Sequence, residues 1–131
     1  MKHEEQTAAI LNCCIEVSNE LGAGFLESVY EMALIVALAH KGLKVQSQIP
    51  LKVTFRNVIV GDFFADLIVN EKVPIELKSV SRLMPDHKAQ VINYLHATGF
   101  DVGSLVNFGT SRVAYFRFRP TEHPEYPVNP V

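Results

Sequence analysis

Three residues near the middle of the chain place acid and base where an apolar side chain is expected. Asp66 stands between Ala65 and Leu67, while Glu76 and Lys78 flank Leu77. The stretches Gly61–Val69 and Val73–Val80 read as two apolar strands joined by Asn70-Glu71-Lys72. Side chains alternate across a strand, so Glu76 and Lys78 share one face and Ile75, Leu77 and Ser79 the other. A three-residue loop pairs Val69 with Val73 and sets Asp66 opposite Glu76. Residues so opposed are roughly 4.5–5.5 Å apart, and like charges there repel. A two-residue loop sets Asp66 opposite Leu77 instead and turns it to the other face. In the first register two carboxylates and an amine converge. A divalent cation with oxygen ligands is the most economical reason to keep such a cluster. The alternative is a hairpin with both acids in water and Lys78 as their partner.

The elements that position these groups are read in chain order. Over residues 4–20 the positions Ala8, Ile10, Leu11, Cys14, Ile15 and Val17 follow the steps of three and four of an amphipathic helix. Gly22 and Gly24 interrupt it, as a turn or a kink, since each weakens a helix by about 1 kcal/mol relative to alanine. A second helix is expected from Phe25 to about Lys41, closed near Gly42. Glu27, Tyr30 and Leu34 share a stripe on it. The rest of that helix is so apolar that Glu27 is expected to be at least partly buried, and a buried carboxylate needs a partner. The alternative is an exposed first-turn glutamate favoured by the helix dipole.

Lys44 to Phe55 alternates as a half-exposed strand, and Pro50 points to an edge or a bulge. Arg56-Asn57 reads as a turn, with Val58–Val69 and Val73–Val80 completing a meander. Pro85 and Asp86 suit the first turn of a helix that Gly99 stops after Thr98. Its periodic face is His87, Gln90, Val91, Tyr94, Leu95 and Thr98, with the polar members at the N-terminal end. A helix N-terminus also favours a phosphate. The plainer readings are a capping or surface His87 and a rim Gln90. Asp101–Phe108 is nearly continuously apolar, as expected for a buried strand after a helical crossover. Arg112–Phe118 follows as a further strand, read as an edge protected by its arginines. Four prolines from Pro120 onward make 120–131 an extended tail beyond a domain at 1–119.

The 131 residues suit one domain, and a hydrophobic share of 48% is that of an ordinary globule. A net charge of −2 argues against a broadly basic nucleic-acid surface. It leaves a nuclease open, because acidic metal ligands offset basic contacts. Cys13 and Cys14 are too few for a four-ligand zinc or iron–sulfur site and read as buried free thiols in a reducing compartment. No signal peptide or membrane-spanning run is visible, so a cytoplasmic location is expected.

Taken in order, the motifs resemble the PD-(D/E)XK nuclease superfamily, in its RecB-like branch. More closely they resemble the small family named for its Gly-x-x-Glu-x-x-Tyr motif. Gly24, Glu27 and Tyr30 match that motif, Asp66 the lone aspartate, Glu76 and Lys78 the Glu-x-Lys, and Gln90 and Tyr94 the Gln-x-x-x-Tyr. The chain departs from the pattern in having no Pro-Asp dipeptide before Glu-x-Lys; Pro74 lies two residues ahead of Glu76. The resemblance implies an α/β restriction-endonuclease-like core. Its mixed central sheet, an antiparallel meander plus two further strands, is flanked by helices. It implies Mg²⁺- or Mn²⁺-dependent hydrolysis of phosphodiesters in nucleic acid, DNA before RNA. Asp66, Glu76 and the Leu77 carbonyl are then the metal ligands, with Glu27 as a further direct or water-mediated one. Lys78 orients or deprotonates water, and Gln90 positions the nucleophile or a phosphate oxygen. Arg82, His87, Lys88 and Tyr94 are candidate substrate-binding residues, and Tyr30 and Tyr94 are expected to pack. No iron–sulfur cluster is expected. A homodimer is one expectation for assembly. The competing function is a catalytically inactive nuclease-fold binding or interaction module.

Overall fold

A computed structural model describes residues 3–120. Within them the order is α1 (Glu4–Leu21), α2 (Glu27–His40), β1 (Val45–Phe55), β2 (Val58–Val69), β3 (Val73–Lys78), α3 (Pro85–Thr98), β4 (Gly103–Asn107) and β5 (Ala114–Phe118). The strands form one sheet in the order β1-β2-β3-β4-β5. The first three pair antiparallel, β4 pairs parallel to β3, and β5 pairs antiparallel to β4. The expected mixed sheet is therefore present, with α3 as the crossover between its parallel strands. The tail expected over 120–131 lies, apart from Pro120, outside the described residues.

Each face of the sheet carries its own core. Ile75 and Leu77 join Leu67 and Val69 on the face covered by Ile10, Cys14 and Val17 of α1 and by Tyr30, Leu34 and Leu38 of α2. Leu105 lies on the other face with Val91, Tyr94 and Leu95 of α3. On α1 the buried stripe runs Thr7, Ile10, Cys14 and Val17, with Cys13 and Ser18 beside it. Ala8 and Ile15, placed on the apolar face by their spacing, are exposed. Cys13 and Cys14 are buried free thiols, as expected.

Several boundaries fall where local chemistry ends an element. α2 starts at Glu27 rather than Phe25. The Phe25 carbonyl accepts from Ser79 Oγ at 2.8 Å, and its N–H donates to Tyr30 Oη at 3.2 Å, so its polar groups are used outside a helix. α2 ends as expected near Gly42: the Gly42 N–H reaches the Ala39 carbonyl and the Leu43 N–H the Leu38 carbonyl. Gly99, at φ 80°, closes α3 through a bond to the Leu95 carbonyl. β3 stops at Lys78 rather than Val80, because the Val80 backbone is taken by a side chain described below.

Arg56 and Asn57, at φ 50° and 66°, make a two-residue turn between Phe55 and Val58. The β2–β3 turn has the three-residue form, with Val69 opposite Val73 and Leu67 opposite Ile75. Asn70 and Glu71 adopt positive φ there, and Asn70 Oδ1 accepts from the Lys44 N–H at 2.9 Å. β1 is an edge strand with a register shift between Val53 and Thr54. β5 is the opposite edge. Among the described residues no helix is long and apolar enough to cross a membrane.

Candidate active site

The β2–β3 ladder covers Leu67, Ile68 and Val69 and stops at Asp66. There a side chain takes over from the backbone: Asp66 Oδ2 accepts the Leu77 N–H at 2.7 Å. This bond holds Asp66 against the strand that carries Glu76 and Lys78. Its other oxygen faces β1, where Gln48 Nε2 donates to Oδ1 at 3.4 Å. Gln48 is opposite Asp66 by register but has φ 51°, outside the strand region. It also donates to Glu31 Oε1 at 2.9 Å, while Ser47 Oγ donates to Glu31 Oε2 at 3.2 Å. A polar chain thus runs from α2 through β1 to Asp66.

Glu27, Ser28, Glu31, Gln48, Asp66, Glu76, Leu77 and Lys78 line a cleft of about 300 Å³. Glu76 is half-buried, with its Oε2 atom out of reach of solvent. Burial, and next the charge of Asp66, push its carboxyl up to about 8; Lys78 pulls the other way and Glu27 adds to the rise. Glu76 Oε2 is buried with no hydrogen-bond partner among the described residues. A carboxylate in that state calls for a cation or a proton.

The site gathers most of its expected members and disperses the others. Asp66, Glu76, Leu77 and Lys78 come together. Glu27 lines the same cleft but is exposed in the first turn of α2, not partly buried. The extended Leu26 before it leaves the helix end in water, where the dipole favours an acid. Among the described residues no three His, Cys, Asp or Glu side chains form a metal-holding group. Gln90 is exposed and lies beyond Glu76, in a second groove.

His87 is a cap: its Nδ1 accepts the Met84 N–H at 3.1 Å, which commits that nitrogen to the start of α3. Lys88 Nζ sits 4.1 Å from the centre of the Phe116 ring. Arg82 is exposed in the loop before α3. Tyr30 packs, as expected: it stacks on Phe108 at 4.7 Å and its Oη donates to the Gly22 carbonyl at 2.5 Å. Tyr94 packs against Phe63 at 4.4 Å between ring centres.

Three contributors escaped the sequence reading. Gln48 is one polar residue among many in an alternating strand. Glu31 follows Glu27 by four residues, a same-face spacing that was a usable signal. Asn107 is buried at the end of β4 and clamps the segment after Lys78. Its Oδ1 accepts from the Val80 and Gly109 N–H groups, both at 3.0 Å, and its Nδ2 donates to the Val80 carbonyl at 2.9 Å. The Phe108 N–H donates to the Lys78 carbonyl at 2.9 Å, so the lysine leaves a fixed strand end.

The donor set suits a hard divalent cation. Mg²⁺ keeps several waters and takes one or two carboxylates. The Asp66–Glu76 pair supplies two, one of them with an orphaned oxygen, so a third acid is not required.

An antiparallel meander feeding a βαβ unit, with two acids and a lysine where the strands part, defines a restriction-endonuclease-like α/β core. The chain belongs to the PD-(D/E)XK nuclease superfamily, whose family profile matches residues 4–118. A solved structure titled "Crystal structure of SSO0001" shares the fold, with a TM-score of 0.52 and 20% identity over 70% of this chain. The match covers 48% of that protein, so this chain spans about half its length. Among curated proteins none matches the chain.

Proposed function

We propose that the chain is a divalent-metal-dependent nuclease hydrolysing phosphodiester bonds of nucleic acid, DNA before RNA. The observation carrying this reading is the Asp66–Glu76 pair, with an orphaned Glu76 oxygen beside Lys78 at the point where β2 leaves β3. It is of a piece with the RecB-like branch and with the family bearing the Gly-x-x-Glu-x-x-Tyr motif.

Asp66, Glu76 and the Leu77 carbonyl would hold Mg²⁺ or Mn²⁺, and Glu27 would meet it through water. A bound ion supplies charge neutralisation at the scissile phosphate and acidifies water. The chain supplies the rest. The Leu77 N–H fixes the Asp66 carboxylate, so one acid is oriented before any ligand arrives. Lys78, in the same cleft, would set a positive charge beside the phosphoryl group as negative charge develops there. Gln90, which lines the groove on the far side of Glu76, would orient a phosphate oxygen.

The test is incubation with single- and double-stranded DNA and RNA in Mg²⁺ or Mn²⁺. Asp66→Ala and Lys78→Ala are each expected to lower cleavage at least about 100-fold. Absence of cleavage of every substrate, or equal rates in the variants, overturns the reading.

A second reading, an inactive binding module on the nuclease scaffold, draws on the lack of a three-acid cluster among the described residues. Thermal melting separates the two: metal binding to the folded state raises Tm, and no shift at millimolar Mn²⁺ favours the module.

A further inference from the structure

β1 runs beside β2 past Asp66 with one residue out of strand conformation. Ser47 is opposite Leu67 and Ile49 opposite Ala65, and Gln48 between them has φ 51°. A left-handed backbone is uncommon for a residue with a Cβ, and such residues cluster where a side chain has to be aimed. The aim is visible. Neighbours in a regular strand point to opposite faces. Yet Ser47 Oγ and Gln48 Nε2 both donate to one carboxylate, that of Glu31 on α2, at 3.2 and 2.9 Å. The same Gln48 nitrogen lies 3.4 Å from Asp66 Oδ1, so its two protons are divided between two acids. A single neutral amide thus bridges a carboxylate on a helix to a carboxylate on a strand. All three residues line the cleft with Glu76 and Lys78.

We propose that Gln48 is a positioning residue for the metal-binding carboxylate of Asp66, and that Glu31 is its anchor rather than a ligand. The proposal rests on the metal-dependent nuclease reading, which makes Asp66 a ligand. Asp66 Oδ2 accepts the Leu77 N–H at 2.7 Å, but a carboxylate held by one hydrogen bond can still swivel about it. A donor on the other oxygen fixes its plane. Gln48 is long and exposed, so its amide needs a hold of its own, and Glu31 supplies it. Each carboxylate oxygen accepts at two sites, so Gln48 leaves room on Oδ1 for a cation. The acid is then oriented from both sides before an ion arrives, and binding does not have to meet the cost of ordering it. Outer partners of this kind typically alter metal affinity by about 10–100-fold.

The test reads metal binding without any substrate. Mn²⁺ affinity is measured from the loss of the free-ion EPR signal, beside thermal melts in EDTA. Gln48→Gly removes the amide and suits the backbone, while Gln48→Met keeps the length without a donor. Both are expected to bind Mn²⁺ at least about tenfold more weakly than wild type and to melt in EDTA no lower than it does. Glu31→Ala is expected to match them. Glu31→Gln is expected to stay within about twofold of wild type, because its amide oxygen still accepts from Gln48. In an Asp66→Ala background, itself weakened, Gln48→Gly is expected to change nothing further. Wild-type Mn²⁺ affinity in both Gln48 variants overturns the proposal. So does an equal loss in Glu31→Gln and Glu31→Ala, which would make Glu31 a ligand. A further loss from Gln48→Gly in the absence of Asp66 also overturns it, because Gln48 would then meet the ion itself. So does weaker binding that comes with a lower Tm in both Gln48 variants, since strand packing would then explain it. If Asp66→Ala binds Mn²⁺ as wild type does, the metal reading fails and takes the positioning role with it. If Asp66→Ala alone is weakened, the nuclease reading stands and Gln48 loses its role.

Discussion

On its β4 side, β3 is paired from Ile75 to Lys78, and Asn107 then clamps the junction with two hydrogen bonds to Val80 and one from the Gly109 N–H. On its β2 side the pairing covers Val73 to Ile75, and beyond it one side chain, Asp66, stands in for the ladder. The unsatisfied groups follow the same division. The orphaned Glu76 oxygen, the adjoining Asp66–Glu76 carboxyl groups and the Tyr94 hydroxyl without a partner among the described residues all lie toward the opened side. The β4 side is where the molecule spends hydrogen bonds on holding Lys78 still. Two acids held this close need rigid neighbours to keep their geometry. The contrast predicts that changes on the β4 side cost stability, while changes on the β2 side cost function and leave the free fold as stable or more so.

The largest expected effect breaks the rigid side. A Cβ on Gly109 would lie 2.1 Å from the Val80 carbonyl oxygen, which is backbone and has no rotamer to yield. Gly109→Ala is expected to lose about 3 kcal/mol in urea unfolding. Asn107→Ala is expected to cost about 2–3 kcal/mol, since it strands two N–H groups and a carbonyl at once. A loss below about 1 kcal/mol in both would mean that this side is no stiffer than the other.

The next effect is on the opened side and has the opposite sign. Glu76 has a folded-state pKa of about 8 against an ordinary 4.5, so the folded state holds a proton that the unfolded chain has released. The stability this confers is complete below about pH 4.5 and is lost as pH rises toward 8. In EDTA, Glu76→Gln is expected to remove that decline, gaining on the order of 1–2 kcal/mol over wild type at pH 8. The gain comes with loss of metal-dependent cleavage. Parallel pH profiles for the two proteins would show that Glu76 is not the strained group.

These outcomes turn on features that sequence reveals unequally. The helix Pro85–Thr98, bounded by Pro85 and Gly99, was legible, as was the βαβ crossover; the sequence left a two- and a three-residue β2–β3 turn open, and the structure has the three-residue form that sets Asp66 across from Glu76. Each depends on local turn chemistry and alternation. Glu27 was misjudged because α2 is apolar nearly all round, which deprives periodicity of contrast: Met32 and Val36 are exposed at 60% and 52%. His87 spends its Nδ1 on the cap of α3, a use that spacing alone does not reveal. Gln48 and Asn107 act across 18 and 27 residues, so no local pattern announces them. The pairing of Asp66 with a backbone N–H was equally hidden, since alternation describes faces and not the end of a ladder.

The smallest expected effect sharpens the contrast on the opened side. Tyr94 buries its ring against Phe63 but leaves its hydroxyl without a partner among the described residues, and burial together with Glu76 and Asp66 holds that hydroxyl well above its ordinary pKa. It therefore stays protonated at any ordinary pH and is a donor with nothing to donate to. Tyr94→Phe removes the stranded group and keeps the ring, so the free protein is expected to gain about 1 kcal/mol. A thermal melt in EDTA measures this as a rise of a few degrees. On the rigid side no comparable gain is available, because each polar atom of the Asn107 clamp is already spent. A fall in Tm for Tyr94→Phe would mean that water satisfies the hydroxyl.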